Sequence, residues 1–171
     1  MEKFGVALWH NIKEKAGCKV PDGGFLKLEE YPDASTIALV EATSQTLGVS
    51  REEVIHLAGR HWVPYIKPQG FDNLLSCQGS TLKDWMTNIN SIHKHLQMAF
   101  PNKIMMPQFW CEDDDKAQDG SLLLHYFSKR GNMLAPLAQG IVEETAETQF
   151  DIEIHMEKLQ TQGENGAEYT T

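Results

Sequence analysis

The spacing of apolar side chains predicts that the N-terminal part of the chain is mostly helical. Apolar residues recur at intervals of three and four in four segments, and each segment has a start or stop signal of its own. These segments are residues 6–16 before Gly17, 33–47 with Asp33 as the predicted N-cap and Gly48 as the stop, 50–65 with a capping box of Ser50 and Glu53, and 82–100 before Pro101. Pro64 lacks the N–H that an inner helical turn requires, so it predicts an end or a kink in the third helix.

The pattern changes to that of strands after residue 107. Residues 108–111, 122–129 and 150–156 have strand-like sequences, and the last of them alternates apolar and polar residues without a fault. An apolar helical stripe lies between the second and third strands, and its members are Leu134, Leu137, Ala138, Ile141, Val142 and Ala146. Helices followed by strands predict an α+β fold, with a helical N-terminal subdomain and a C-terminal antiparallel sheet against which one helix packs.

Composition and charge narrow the class of protein. A chain of 171 residues with 41% hydrophobic and 23% charged residues is typical of one folded domain. The net charge of -9 has the wrong sign for binding a phosphate backbone, so nucleic acid is not an expected partner. The longest uncharged stretches, such as residues 131–142, are shorter than the ~20 apolar residues that span a bilayer. With no secretory signal and three widely spaced cysteines, we expect a cytoplasmic protein with reduced thiols.

His93 is the first candidate for chemistry, because it lies on the apolar face of the fourth predicted helix. At about 100° per residue, its side chain points in the same direction as those of Leu82, Met86 and Leu96. His95 lies about 200° away, so the two histidines cannot chelate one ion from a regular helix. His93 is therefore either a core histidine satisfied by one hydrogen bond or a ligand to a metal, and spacing alone leaves both open.

A second candidate is the end of the second predicted strand, where Tyr126, Ser128 and Arg130 fall on one face. Two hydroxyls and a guanidinium form a suitable site for carboxylates, since arginine pairs with a carboxylate through two parallel hydrogen bonds. The alternative is a strand end that runs into solvent, because these residue types are common.

The helical histidine, a proline-containing break and the Tyr-x-Ser-x-Arg strand follow one another in the order found in a known family. The chain resembles the haem nitric oxide/oxygen-binding (H-NOX) family, which includes the haem domain of the soluble guanylate cyclase beta subunit. The likeness covers most of the chain, and its main stretches are residues 5–9, 88–93, 100–101, 107–109 and 124–130.

The resemblance implies a role for each candidate residue. His93 would be the proximal ligand of the iron in haem b (iron protoporphyrin IX), and neutral imidazole is a common axial ligand of haem iron. Tyr126, Ser128 and Arg130 would hold the two haem propionates, which are carboxylates that these donors suit. Pro107 would be the proline that presses on the macrocycle and distorts it.

Trp62 and Leu137 would line the distal pocket, by the same resemblance. Oxygen-binding members of the family place a tyrosine donor at the position of Leu137, and leucine donates no hydrogen bond. Because bound oxygen depends on such a donor more than bound nitric oxide does, Leu137 favours a site that is selective for nitric oxide.

The function that the resemblance implies is a haem-based gas sensor that is not itself an enzyme. Nitric oxide would be its ligand, and a separate protein would be its effector, such as a histidine kinase, a diguanylate cyclase, a chemoreceptor or a cyclase. Residues 1–158 would form a single haem domain without the family's usual first helix, with the haem between the helical subdomain and the sheet. Residues 159–171 would be a polar tail or a truncated last strand.

Two other functions stay open at the level of the sequence. The first is a haem-free or truncated H-NOX-like interaction module that keeps the fold but not the cofactor. The second is a catalytic haem protein such as a peroxidase, which ranks last because the sequence shows no distal His–Arg pair aligned to cleave peroxide.

Overall fold

The computed structural model describes residues 5–24, 31–99, 105–117, 119–129, 131–159, 161–164 and 167–170. The chain divides by its contacts into two compact units, Met1–Ile55 and His56–Thr171. The elements in chain order are α1 (Val6–Lys15), α2 (Asp33–Leu47), α3 (Arg51–Ile66), α4 (Asp72–Ser76), α5 (Leu82–Ala99), β1 (Gln108–Asp113), β2 (Leu122–Ser128), α6 (Ala135–Phe150), β3 (Thr161–Glu164) and β4 (Ala167–Thr170), with 3-10 turns at Lys67–Gln69 and Asn132–Leu134.

In the first unit, a single carboxylate ties the loop after α1 back to that helix. Asp22 accepts hydrogen bonds from the side chains of Trp9 at 2.8 Å, His10 at 2.7 Å and Lys13 at 3.0 Å. These donors, led by His10, hold the pKa of Asp22 well below its usual range. The loop is thereby fixed to α1, the helix that the first apolar segment predicts.

The starts and ends of α2 and α3 follow their sequence signals except at Asp33 and at Pro64. α2 ends at Gly48, which adopts the left-handed conformation at φ 69 that glycine favours. The capping box of α3 is confirmed, since Ser50 N–H donates to Glu53 Oε2 at 2.8 Å and Glu53 N–H donates to Ser50 Oγ at 3.1 Å. The prediction that Asp33 caps α2 is wrong, because Pro32 precedes the helix and Asp33 is its first residue.

Pro64 does not end α3. The helix continues through it to Ile66 and passes directly into the 3-10 turn that ends at Gly70. Of the two outcomes predicted for Pro64, an end of the helix is wrong, and a kink stays a prediction. A proline so close to the end of a helix removes one backbone hydrogen bond but leaves little helix beyond it to disrupt.

The second unit contains an antiparallel sheet with the strand order β1-β2-β4-β3. Phe109 of β1 lies opposite Tyr126 of β2, and Phe127 of β2 lies opposite Tyr169 of β4. The first two predicted strands are confirmed, and β1 forms one edge of the sheet. Helices followed by this sheet, with α6 inserted between its strands along the chain, make the predicted α+β fold.

The third predicted strand, residues 150–156, is wrong. α6 continues to Phe150 and ends where Asp151 adopts a left-handed conformation at φ 54. The backbone N–H groups of Asp151 and Ile152 both donate to the carbonyl of Ala146, which closes the helix.

The alternation that suggested this strand has a different cause. Residues 151–159 have no regular secondary structure, but Ile154 and Met156 pack against the core while Ile152 is exposed. One-sided burial of an extended segment produces the same period of two as a paired strand. The sheet is completed instead by β3 and β4, which lie after residue 158, where the sequence predicts a polar tail or a truncated strand.

The core of the second unit lies between α5, α6 and one face of the sheet. Trp85 of α5 is only 2% exposed, and its indole N–H donates to the carbonyl of Leu75 at 3.0 Å. The buried members of this core cluster are Leu75, Leu82, Trp85, Met86, Ile92, Val142 and Ala146. This cluster confirms the apolar face predicted for α5 and, for α6, the part of the predicted stripe formed by Ile141, Val142 and Ala146.

α3 and α6 cross so closely that a side chain would not fit at the contact. A Cβ atom placed on Gly59 would overlap the carbonyl oxygen of Leu137. One placed on Gly140 would overlap the carbonyl oxygen of His56 and lie 2.9 Å from the backbone nitrogen of Arg60. The two glycines therefore set the separation of these helices.

Ion pairs hold the same two helices together beside the glycine contact. His56 Nε2 lies 2.7 Å from Glu143 Oε2, and Arg60 forms two hydrogen bonds to the carboxylate of Glu147 at 2.9 and 2.5 Å. The Glu147 carboxylate raises the pKa of Arg60, and Arg60 lowers the pKa of Glu147. This bidentate pair gives the crossing a fixed register as well as a fixed distance.

We predict that Gly140→Ala destabilises the protein. An alanine in an open helix site stabilises by about 0.5–1 kcal/mol relative to glycine, whereas overpacking a close contact costs about 1–3 kcal/mol. Urea unfolding of Gly140→Ala should therefore give a lower free energy of unfolding. Ala58→Ser, at an exposed position of α3, is the control and should change it by less than about 0.5 kcal/mol. A more stable Gly140→Ala protein would show that the helices are not in contact there.

Candidate functional site

The candidate site begins with His93, which α5 presents beside the core. The imidazole is half-buried, and its Nδ1–H donates to the backbone carbonyl of Pro107 at 3.0 Å. Burial lowers the pKa of His93, with the Pro107 carbonyl opposing part of that effect. Burial thus favours the neutral ring, and a proton on Nδ1 leaves the lone pair of Nε2 for another partner. Within the described part of the chain, Nε2 has no hydrogen-bond partner.

The first residues of β1 form the wall against which His93 rests. The ring of Phe109 lies 5.7 Å from the ring of His93, centroid to centroid, and 5.3 Å from the ring of Tyr126 in an edge-on arrangement. The rings of His93 on α5, Phe109 on β1 and Tyr126 on β2 therefore lie next to one another in a row. This contact brings His93 and Tyr126, which are distant in the chain, to the same side of the sheet.

Tyr126 and Ser128 lie on this inner face of β2, as the period of two predicts. Tyr126 is 5% and Ser128 4% exposed, so both hydroxyls are inside the protein and not at a solvated strand end. Arg130, the third member of the predicted set, lies outside the described residues. The structure thus places two of the three donors inside the unit, next to the wall that contacts His93.

Pro107 makes a contact that the sequence does not indicate. Its carbonyl is the acceptor for His93 Nδ1, so the proline is next to the histidine through its backbone. The role expected from the family resemblance, pressure of the ring on a macrocycle, is a separate matter and stays a prediction.

Trp62 and Leu137 belong to the pair of crossing helices. Trp62 on α3 is partly buried and packs against the core cluster of the second unit. Leu137 on α6 is half-buried, and its carbonyl oxygen faces Gly59 at the close crossing. The distance between Trp62 and Leu137 therefore depends on the glycine contact between α3 and α6. The hydrogen bond of His93 depends instead on Pro107, the residue before β1.

Two parts of the site escaped the sequence prediction. Phe109 connects His93 with Tyr126, and Asn90 binds the backbone of Phe109. Asn90 could have been found as a polar residue one turn before His93, beside the apolar face of α5. Phe109 carried no such signal, because a buried aromatic residue in a strand is typical of any core.

In the described ranges, no group of three or more His, Cys, Asp and Glu side chains comes together as a metal site. No helix in the same ranges has the length and apolar character needed to cross a membrane.

Comparison with known proteins identifies a family whose profile the chain matches and several relatives with similar sequences. The sequence profile of the haem-NO-binding family matches residues 1–158. Soluble guanylate cyclase gcy-32 of Caenorhabditis elegans is 28% identical over 155 residues, which is 90% of this chain and 22% of that relative. Guanylate cyclase soluble subunit beta-2 of Rattus norvegicus is 30% identical over 108 residues, 63% of this chain and 15% of the relative. The chain thus spans about a fifth of the length of the worm cyclase and less of the rat subunit.

Solved structures show the same fold. A Cs H-NOX mutant that carries 4-cyano-L-phenylalanine superimposes with a TM-score of 0.80 at 19% identity, covering 99% of this chain and 85% of the other. A mutant of the T. tengcongensis H-NOX gives a TM-score of 0.79 at 17% identity, with coverage of 99% and 86%. At these identities the likeness concerns the fold.

We predict that His93 gives the stability of the protein a specific pH dependence. The folded-state pKa of this ring lies below the usual 6.5, so the unfolded chain binds more protons at and below that pH. The free energy of unfolding should therefore gain a His93 component as the pH rises toward 6.5, and this component should stop changing above it. Urea unfolding from acid to neutral pH, with nothing bound to the histidine, should show a steeper rise for the wild type than for His93→Gln. Parallel curves would contradict the shift.

Proposed function

The chain belongs to the haem-NO-binding (H-NOX) family, and from this premise we propose that it is the haem-binding part of a nitric oxide sensor. Domains of this family are haem-binding gas sensors of guanylate cyclases, and the domain is a sensor and not a catalyst. The observation that carries the proposal for this chain is the half-buried His93, whose Nδ1–H is bonded to the Pro107 carbonyl.

The residues present fit haem as a cofactor. Haem iron takes a neutral imidazole as axial ligand, and a carbonyl acceptor on the opposite ring nitrogen fixes the tautomer and makes the ligand more basic. His93 has this arrangement, with its Nε2 lone pair available among the described residues. The buried hydroxyls of Tyr126 and Ser128 are donors for carboxylates, as the two propionates of haem b require.

In the proposed mechanism, each residue has a limited task. His93 would hold the iron through Nε2, and Tyr126, Ser128 and Arg130 would hold the propionates. Pro107 orients the imidazole through its carbonyl, and its ring would press on the macrocycle. Ferrous haem, when bound, would supply an iron that can take up nitric oxide.

The way His93 is held explains how the sensor could transmit a signal. His93 belongs to α5 and is bonded to the residue just before β1, so a change at the ring acts on a helix and on the sheet. A ligand can shift such an equilibrium only by the difference in its affinity for the two conformations. The receiver would be a separate effector in the cytoplasm, a histidine kinase, diguanylate cyclase, chemoreceptor or cyclase.

Trp62 and Leu137 form the distal side in this proposal. Both present apolar surface from the α3–α6 crossing, and Leu137 offers no hydrogen-bond donor. The absence of a donor at position 137 favours nitric oxide over oxygen. Residues 1–158, which match the family profile, would act as the single haem domain.

We predict that the reduced protein binds haem through His93. Haem-supplied protein should show a ferrous histidyl-haem spectrum that changes on addition of nitric oxide under anaerobic conditions. His93→Ala should lose haem, or bind it only when imidazole is added, because the mutant lacks the axial ligand. His95→Ala is the matched control, since His95 is exposed on the same helix, and its spectrum should equal that of the wild type.

Two results would contradict this prediction. If His93→Ala binds haem as the wild type does without imidazole, His93 is not the ligand. If the folded wild-type protein takes up no haem, the sensor is excluded for this chain and a haem-free interaction module remains.

We also predict that Leu137→Tyr gains affinity for oxygen. One added hydrogen bond of about 1 kcal/mol corresponds to roughly a fivefold to tenfold tighter complex. Leu137→Phe is the control, because it adds similar bulk without a donor. Oxygen titration of the two reduced variants should separate them, and equal oxygen affinities would show that residue 137 does not face the bound gas.

A further inference from the structure

Asn90 makes two hydrogen bonds to one backbone unit of β1. Its Nδ2 donates to the carbonyl of Phe109 at 2.5 Å, and the N–H of Phe109 donates to its Oδ1 at 2.9 Å. The side-chain amide thus pairs with the strand as a neighbouring strand does. β1 is at the edge of the sheet, so Asn90 satisfies polar groups that β2 does not take.

This pairing lies next to the contact of His93. Asn90 precedes His93 by one turn of α5, and Phe109 follows Pro107 by two residues. α5 is therefore bonded to the start of β1 at two successive points, from Asn90 to Phe109 and from His93 to Pro107 at 3.0 Å. The first bond pair is made by Asn90, whose side-chain hydrogen bonds go to Phe109 and not to the imidazole or to its acceptor.

The carbonyl of Pro107 needs such support. Pro107 precedes β1, whose pairing with β2 begins at Gln108 opposite Phe127, so the sheet ladder does not hold the proline itself. The distance between this carbonyl and His93 then depends on how firmly the next residues are held against α5. Asn90 holds them through both polar groups of Phe109, and it also sets the ring of Phe109 against His93.

We propose that Asn90 is a positioning residue for the iron ligand: by clamping Phe109 to α5, it keeps the Pro107 carbonyl in place to accept from His93 Nδ1. The inference rests on the proposed function, because it assigns the clamp to the haem ligand. Partners behind a metal ligand orient the ligand and raise its basicity, and their loss typically costs about 10- to 100-fold in metal affinity. Asn90 lies one contact further from the ligand than such a partner does, and it acts through the backbone of Phe109.

Asn88 provides a matched control on the same helix. Its Nδ2 donates to the carbonyl of Gln78 at 2.6 Å, which ties α5 to the segment after α4 and not to β1. Asn88→Leu therefore removes a helix-to-backbone hydrogen bond without touching the clamp. Asn90→Leu removes both bonds to Phe109, and Asn90→Asp keeps the acceptor for the Phe109 N–H but loses the donor to its carbonyl.

The test compares the wild type, Asn90→Leu, Asn90→Asp and Asn88→Leu by two readouts. Nitrogen-15 NMR of the haem-free proteins reports the His93 Nδ1–H signal and the hydrogen exchange of the Phe109 amide. Resonance Raman spectra of the reduced haem proteins report the iron–histidine stretching band. In Asn90→Leu we expect the Nδ1–H signal to be lost, the amide to exchange roughly tenfold faster, and the stretching band to move to lower frequency. Asn90→Asp should be intermediate, and Asn88→Leu should match the wild type.

Several outcomes would overturn the inference. If Asn90→Leu matches Asn88→Leu in both readouts, Asn90 is only a structural residue. If Asn90→Leu does not fold, Asn90→Asp decides by the same two readouts, and a wild-type Nδ1–H signal in that variant counts against the clamp. If the wild type takes up no haem, the proposed function fails, and the NMR readout still shows whether Asn90 holds His93 and Pro107 together.

Discussion

The hydrogen bond from His93 Nδ1 to the carbonyl of Pro107 fixes both the orientation and the tautomer of a half-buried imidazole. Elements of the second unit hold the donor and the acceptor of this hydrogen bond in place. α5 carries the donor on the edge of a cluster built around Trp85, and β1 carries the acceptor just before the sheet ladder begins. Because burial lowers the pKa of the ring, the side chain is suited to act as a neutral nitrogen ligand and not as a surface cation.

The crossing of α3 and α6 is organised by a close backbone contact and by an ion pair. Gly59 and Gly140 allow α3 and α6 to approach so closely that a Cβ on either would overlap the other helix. Arg60 with Glu147 then fixes the register of the crossing. Trp62 and Leu137 lie on these two helices, so the space between them is set by a rigid contact. Under the proposed function, the absence of a hydrogen-bond donor at Leu137 favours nitric oxide over oxygen.

The sequence predicted the helices with capping residues and glycine stops, the first two strands and the apolar faces of α5 and α6. The prediction failed where a paired strand and an unpaired segment with one buried side have the same alternating sequence pattern. The alternation from Phe150 to Met156 is that of a strand, yet α6 continues into it and the rest is an unpaired segment with one buried side. At the site, a helical wheel placed His93, and the period of two placed Tyr126 and Ser128 on one face. The acceptor for His93 and the clamp of Asn90 depend on how β1 docks on α5, which no local pattern encodes.

The central claim is that Nε2 of His93 binds haem iron, and the resonance Raman spectrum of the reduced wild-type protein tests it most directly. The expected result is an iron–histidine stretching band that shifts when the iron isotope is changed and shifts again when histidine is labelled with nitrogen-15. A haem-loaded protein whose low-frequency spectrum responds to the iron isotope but not to labelled histidine would contradict the claim.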